Sequence, residues 1–117
     1  FDEEIAALAL AHKEKILERN RAILVANLPI LDAWVKGEPH VSYVRPTAGT
    51  MALVHYDLSI GSRDFCRRMY EETGAFCVPG DCFDEPFSFR VGYGHEADVL
   101  RKGLDAVSEF IRRVTRD

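Results

Sequence analysis

Ile16, Leu17, Ile23, Leu24, Leu28, Leu31, Trp34 and Val35 recur at intervals of three and four, with Lys13, Glu14, Glu18, Arg19 and Arg21 on the opposite face. That spacing belongs to a helix with one buried side, and it commits residues 2–37 to one long helical element before any strand begins. Pro29 lies inside the pattern. It removes a backbone hydrogen bond and crowds the preceding turn, so a kink is expected there. A second weak point falls near His12, where an alanine-rich opening meets the charged stretch. Gly37 and Pro39 end the element.

The rest of the chain must supply a surface for that helix to cover. Val41–Val44 alternates as a short strand, and Met51–Asp57 as a second. The connection between them holds Pro46 and Gly49, so the two read as an antiparallel hairpin with a longer loop. Ser62 reads as a helix N-cap with Asp64 in the first turn, followed by an apolar stripe of Phe65, Cys66, Met69 and Tyr70. Gly74 closes that helix. Ala75–Val78 and Phe87–Tyr93 read as strands flanking a Pro79-Gly80-Asp81 turn. A last helix runs from His95 or Glu96 to about Thr115, with Val99, Leu100, Leu104, Val107, Ile111 and Val114 inward. The order predicts an α+β fold, a small and largely antiparallel sheet covered on one face by helices. Residues 1–117 suffice for a single domain.

Composition excludes several functions. A net charge of −4 and a pI near 5.6 argue against nucleic-acid binding, which calls for clustered base. The arginines of the last helix sit where its dipole favours cations. No apolar run reaches membrane-spanning length. Three cysteines do not make a disulfide scaffold, so free thiols in a cytoplasmic protein are expected. Cys77, Cys82 and His95 do not fit a zinc pattern, because the two thiols are separated by four residues. His12, His40, His55 and His95 have no Ser or Cys partner at a spacing that suggests a hydrolase triad. The opening Phe1-Asp-Glu-Glu has no signal-peptide pattern. A chain starting in mid-helix without Met is expected to be a piece of a longer protein.

Arg90 is the residue this pattern does not explain. In Phe87-Ser-Phe-Arg-Val-Gly-Tyr-Gly94, strand alternation sends Phe87, Phe89 and Val91 one way and Ser88, Arg90 and Gly92 the other. Arg90 can pair with one of the chain's 19 acidic side chains, or its fork of donors can meet a carboxylate from outside.

Three stretches in order carry a family resemblance: Pro46-Thr-Ala-Gly49 before an apolar strand; Glu71-Glu-Thr-Gly-Ala-Phe-Cys-Val-Pro-Gly80 with Phe83 after it; and Phe89-Arg-Val-Gly-Tyr-Gly94. With the amphipathic helices at both ends, the chain from about Lys13 to Val114 resembles the C-terminal small domain of class I/II aminotransferases, the fold-type I enzymes that use pyridoxal phosphate. The resemblance implies that Arg90 binds the α-carboxylate of an amino-acid substrate, and that residues 1–37 form a kinked interdomain helix. It implies amino-acid and 2-oxo-acid substrates, with the cofactor held by a large domain absent from this chain. The second subunit of a homodimer is a further implied partner. Lys13, Lys15, Lys36 and Lys102 all fall on charged helix faces and none matches the cofactor lysine, so no catalytic residue is expected in this chain, which should be inactive alone. A lyase or decarboxylase of the same fold, and a stand-alone α+β binding module, are the alternatives. If the substrate role is right, Arg90 faces outward without a carboxylate of this chain. Apolar surface near Leu8, Leu10 and Ile16 is then exposed where the rest of the protein would dock.

Overall fold

The computed structural model describes residues 1–116. Two helices open it: α1 (Asp2–Ala11) and α2 (Lys13–Gly37). The break falls at His12 (φ −109°, ψ 20°), whose amide donates to the carbonyls of Leu8 and Ala9. Pro29 stays within α2. Both Pro29 and Val25 are exposed, so the carbonyl that proline deprives of its partner lies on the wet side. The buried residues of α2 are Asn27, Leu31 and Val35, four apart. Ile16 and Leu17, which periodicity places in the core, are exposed instead. The start of α2 projects beyond the sheet in a molecule whose extents are 54 × 28 × 23 Å.

The sheet has four strands: β1 (Val41–Tyr43), β2 (Met51–Tyr56), β3 (Val78–Pro79) and β4 (Ser88–Gly92). Their order is β1-β2-β4-β3, with every pair antiparallel. β3 is shorter than its sequence suggests and begins at Val78; Ala75–Cys77 approach it as irregular backbone. Its proline is tolerated because β3 is an edge. β4 begins after Phe87, which sits at φ +58° and is half exposed. Phe87 therefore does not continue the Phe89–Val91 face, as simple alternation predicts. A turn of 3₁₀ helix, Gly80–Phe83, links β3 to the approach of β4.

Two further helices, α3 (Ser62–Thr73) and α4 (Ala97–Arg116), pack with α2 on one face of the sheet. The α+β layer architecture follows. β2 sends Ala52, Val54 and Tyr56 inward, and β4 sends Phe89 and Val91. Phe65 of α3 stacks between Tyr56 (centroids 4.3 Å apart) and Phe89 (5.5 Å), and Phe110 of α4 meets it edge-on at 5.0 Å. Removing such a ring from a core costs about 3–5 kcal/mol. The inward stripe of α4 starts at Leu100, since Val99 is exposed. Gly74 ends α3 at φ +79°, a conformation that suits glycine. Ser62 is not the N-cap: Gly61 holds that position, and the Ser62 hydroxyl accepts the amide N–H of Asp81 at 3.0 Å. Its job is to anchor the 3₁₀ turn.

Candidate functional site

The helices cover one face of the sheet and leave the other open. Register defines the open face: Arg90 sits opposite Leu53 on β2 and opposite Val78 on β3. Directly opposed residues share a face, so these three side chains form a row across the sheet. All three are half-buried. Met51 lies further along β2, opposite Gly92. Together Met51, Ala52, Leu53, Phe83 and Arg90 line a shallow cavity of about 240 Å³.

The 3₁₀ turn lies against one end of this face. A Cβ on Gly80 would sit 1.8 Å from Ser88 Oγ and 2.1 Å from the Glu85 carbonyl, so only glycine permits the approach. Around it, the Ser88 hydroxyl donates to the Glu85 carbonyl at 2.6 Å, and the Glu85 amide donates to the Gly80 carbonyl at 3.0 Å. Asp84 closes the turn at φ +57°. The outcome is that the Phe83 ring lies 5.1 Å from the guanidinium carbon of Arg90. His55 and Glu85 face each other at 3.4 Å on the same side of the sheet.

Arg90 has no carboxylate within ion-pair distance among the described residues. Other arginines do pair: Arg67 with Asp64 and Glu71, Arg68 with Glu72, and Arg113 with Glu109. Arg90 thus keeps a set of charged donors that nothing acidic in the described chain engages. A half-buried guanidinium in a shallow apolar hollow suits a planar anion, which it can meet through two parallel hydrogen bonds.

The other residues with polar or reactive groups near the sheet lie elsewhere. Tyr93 is almost wholly buried and donates its hydroxyl to the Gly49 carbonyl at 2.7 Å, so it pins the hairpin loop. Thr47, Ala48 and Gly49 border a separate hollow with Arg21. Cys77 and His95 line a cavity of about 250 Å³ between residues 75–77 and α4, whose wall also includes Arg90. Cys82 lies exposed on the 3₁₀ turn. Among the described residues, no group of three His, Cys, Asp or Glu side chains is arranged to hold a metal. Burial pushes the Cys66 and Cys77 thiols up to about 12. Near β1, hydrogen bonds from Lys36 and Tyr43 hold the Asp32 carboxyl below the usual carboxylate range. Sequence reasoning missed two residues: Phe83 as a partner of Arg90, and Asn27 as a buried polar brace. Asn27 leaves a signal, being the one amide among the apolar residues Leu24, Leu28 and Leu31.

No protein-family model matches the chain. Its fold does match solved structures. A PLP-dependent aminotransferase from Streptococcus suis superposes with a TM-score of 0.92 and 44% identity, over 97% of this chain and 30% of that one. The PLP-dependent cyclase OrfR superposes with a TM-score of 0.84 and 28% identity, over 90% of this chain and 30% of that one. Among curated proteins, tyrosine aminotransferase from Caenorhabditis elegans is 25% identical over 95 residues, 80% of this chain and 20% of the relative. The chain therefore spans between a fifth and a third of these relatives' length. The α+β fold is that of an aminotransferase small domain. The chain's homologues and structural neighbours include PLP-dependent aminotransferases and a PLP-dependent cyclase, and it corresponds to one segment of such a larger protein.

Proposed function

We propose that this chain is the C-terminal small domain of a pyridoxal-phosphate-dependent aminotransferase, and that Arg90 binds the α-carboxylate of its amino-acid and 2-oxo-acid substrates. The observation that carries the reading is the Arg90 guanidinium on the open sheet face, met by no carboxylate of the described residues, in a chain 44% identical to an aminotransferase segment. Holding the carboxylate at two points fixes the substrate's orientation, which is the contribution a positioning group makes to catalysis. A lysine ammonium supplies the charge without the planar fork.

The residues present do not fit pyridoxal phosphate. Lys13, Lys15, Lys36 and Lys102 are all exposed on helices, and no lysine lines either cavity beside Arg90. In this reading the cofactor is held by a large domain, and the chain alone does not transfer amino groups. The second subunit of a homodimer completes the assembly, in the cytoplasm. No helix of the described residues is long and apolar enough to cross a membrane. The cyclase OrfR supports a second reading within the same fold, since a carboxylate anchor serves many reactions on an amino acid and fold does not fix reaction.

The test is Arg90→Ala and Arg90→Lys in the full-length protein. Losing one partner of a desolvated, hydrogen-bonded charge pair costs about 2–5 kcal/mol. Arg90→Ala should therefore raise KM for the amino acid by about a hundredfold, with Arg90→Lys in between. An unchanged KM in Arg90→Ala overturns the assignment. Product analysis of the unmodified enzyme separates amino transfer from cyclisation.

A further inference from the structure

The guanidinium of Arg90 lies over the ring of Phe83, with the carbon 5.1 Å from the ring centre. Phe83 is 43% exposed and stacks on no other aromatic ring among the described residues. Its place is fixed by the turn beneath it: Gly80 packed against Ser88, the Asp81 amide held by Ser62, and the left-handed Asp84 that follows. The backbone that carries the ring is therefore held in place beside Arg90.

We infer that Phe83 is a positioning residue for Arg90, an inference that rests on the carboxylate-binding reading of that arginine. A free arginine side chain samples many rotamers, and ordering them on binding weakens affinity. The negative face of an aromatic ring attracts the cation and holds it near one plane. In that arrangement the guanidinium carbon lies over the ring. No carboxylate of the described chain meets its N–H donors. Met51 and Leu53 border the same hollow and keep it apolar. Phe83 thus presents the donor fork ready-made, and its effect falls on substrate affinity and not on the chemical step.

The experiment uses the full-length protein with the common amino acids as donors and 2-oxoglutarate as acceptor. The variants are Phe83→Leu, Phe83→Tyr, Arg90→Lys and the Phe83→Leu/Arg90→Lys pair. Phe83→Leu keeps apolar bulk and loses the ring face; it should raise KM about three- to tenfold, leave kcat within about twofold, and be matched by no change in Phe83→Tyr. In the Arg90→Lys background the Phe83→Leu effect should shrink, because an ammonium has no planar fork for the ring to orient. A KM rise of the same factor in both backgrounds marks a merely structural ring and overturns the inference. Arg90→Lys with raised KM and Phe83→Leu without it overturns this inference alone. No change in Arg90→Lys overturns the reading beneath it. Should Phe83→Leu fail to fold, Phe83→Met takes its place with the same expected results.

Discussion

The side-chain amide of Asn27 on α2 donates to the backbone carbonyl of Tyr93, just past β4, at 2.9 Å and across 66 residues of sequence. It also donates to the carbonyl of His95. Asn27 is 2% exposed and its bond to the Tyr93 carbonyl is buried, so water is no easy substitute there. Asn27→Leu, close in size, leaves the Tyr93 carbonyl stranded. The expected loss is about 1–3 kcal/mol, read from the midpoint of urea unfolding. An unchanged midpoint shows that the brace contributes nothing.

Two glycines should respond in opposite ways to the same change. Gly80→Ala drives a methyl into Ser88 and the Glu85 carbonyl, so the 3₁₀ turn must open. The expected loss exceeds about 2 kcal/mol. Gly103 lies inside α4, and a methyl added there would meet nothing within 4 Å. Gly103→Ala should add about 0.5–1 kcal/mol by favouring the helix. Thermal unfolding of both variants checks the contrast.

Some of this was legible in the residues and some was not. Local signals worked where local forces decide: Gly74 ended α3 as its φ requires, and the β1–β2 hairpin formed around Pro46 and Gly49. They failed where a distant partner decides. Ser62 has the composition of a cap, but its hydroxyl accepts the Asp81 amide, 19 residues on. Phe87 fits a strand alternation that its positive φ interrupts, because the chain must turn out of Glu85 and Pro86 before pairing. The helix break at His12 was marked by composition, and Pro29 lies at a solvent-facing position inside α2. At the candidate site, alternation gave Arg90 its face. That no carboxylate of the described chain answers it, and that Phe83 does, depends on how the 3₁₀ turn folds back, which no spacing rule records.

α1 buries no residue, and Ile5, Leu8 and Leu10 are exposed on it. Removing residues 1–11 should leave the unfolding free energy of the remainder unchanged within about 0.5 kcal/mol. Binding of an apolar-surface dye should fall, because the exposed leucines go with the deletion. A large drop in stability contradicts the placement of α1 outside the core.

The chain should weaken in alkali. An unfolded cysteine ionises near 9.0, whereas the folded Cys66 and Cys77 thiols are held up to about 12, chiefly by burial. Burial likewise pushes the Tyr43 phenol to about 12, helped by the neighbouring Asp32. Between those values the unfolded state has shed protons that the folded state keeps, so stability is intact below about 9 and falls as pH rises toward about 12. Urea midpoints across that range check this, and a flat profile contradicts it.

The two faces of β4 make the domain adaptable in a particular way. Phe89 and Val91 are committed to the helices, and a change there propagates through the aromatic stack to α3 and α4. Arg90 and its neighbour Leu53 face away from that stack. A substitution at Leu53 or Met51 therefore reshapes the surroundings of the guanidinium while leaving the interior as it was. Robustness and novelty are housed on opposite sides of one strand, so this scaffold can try new neighbours for its arginine without first risking collapse.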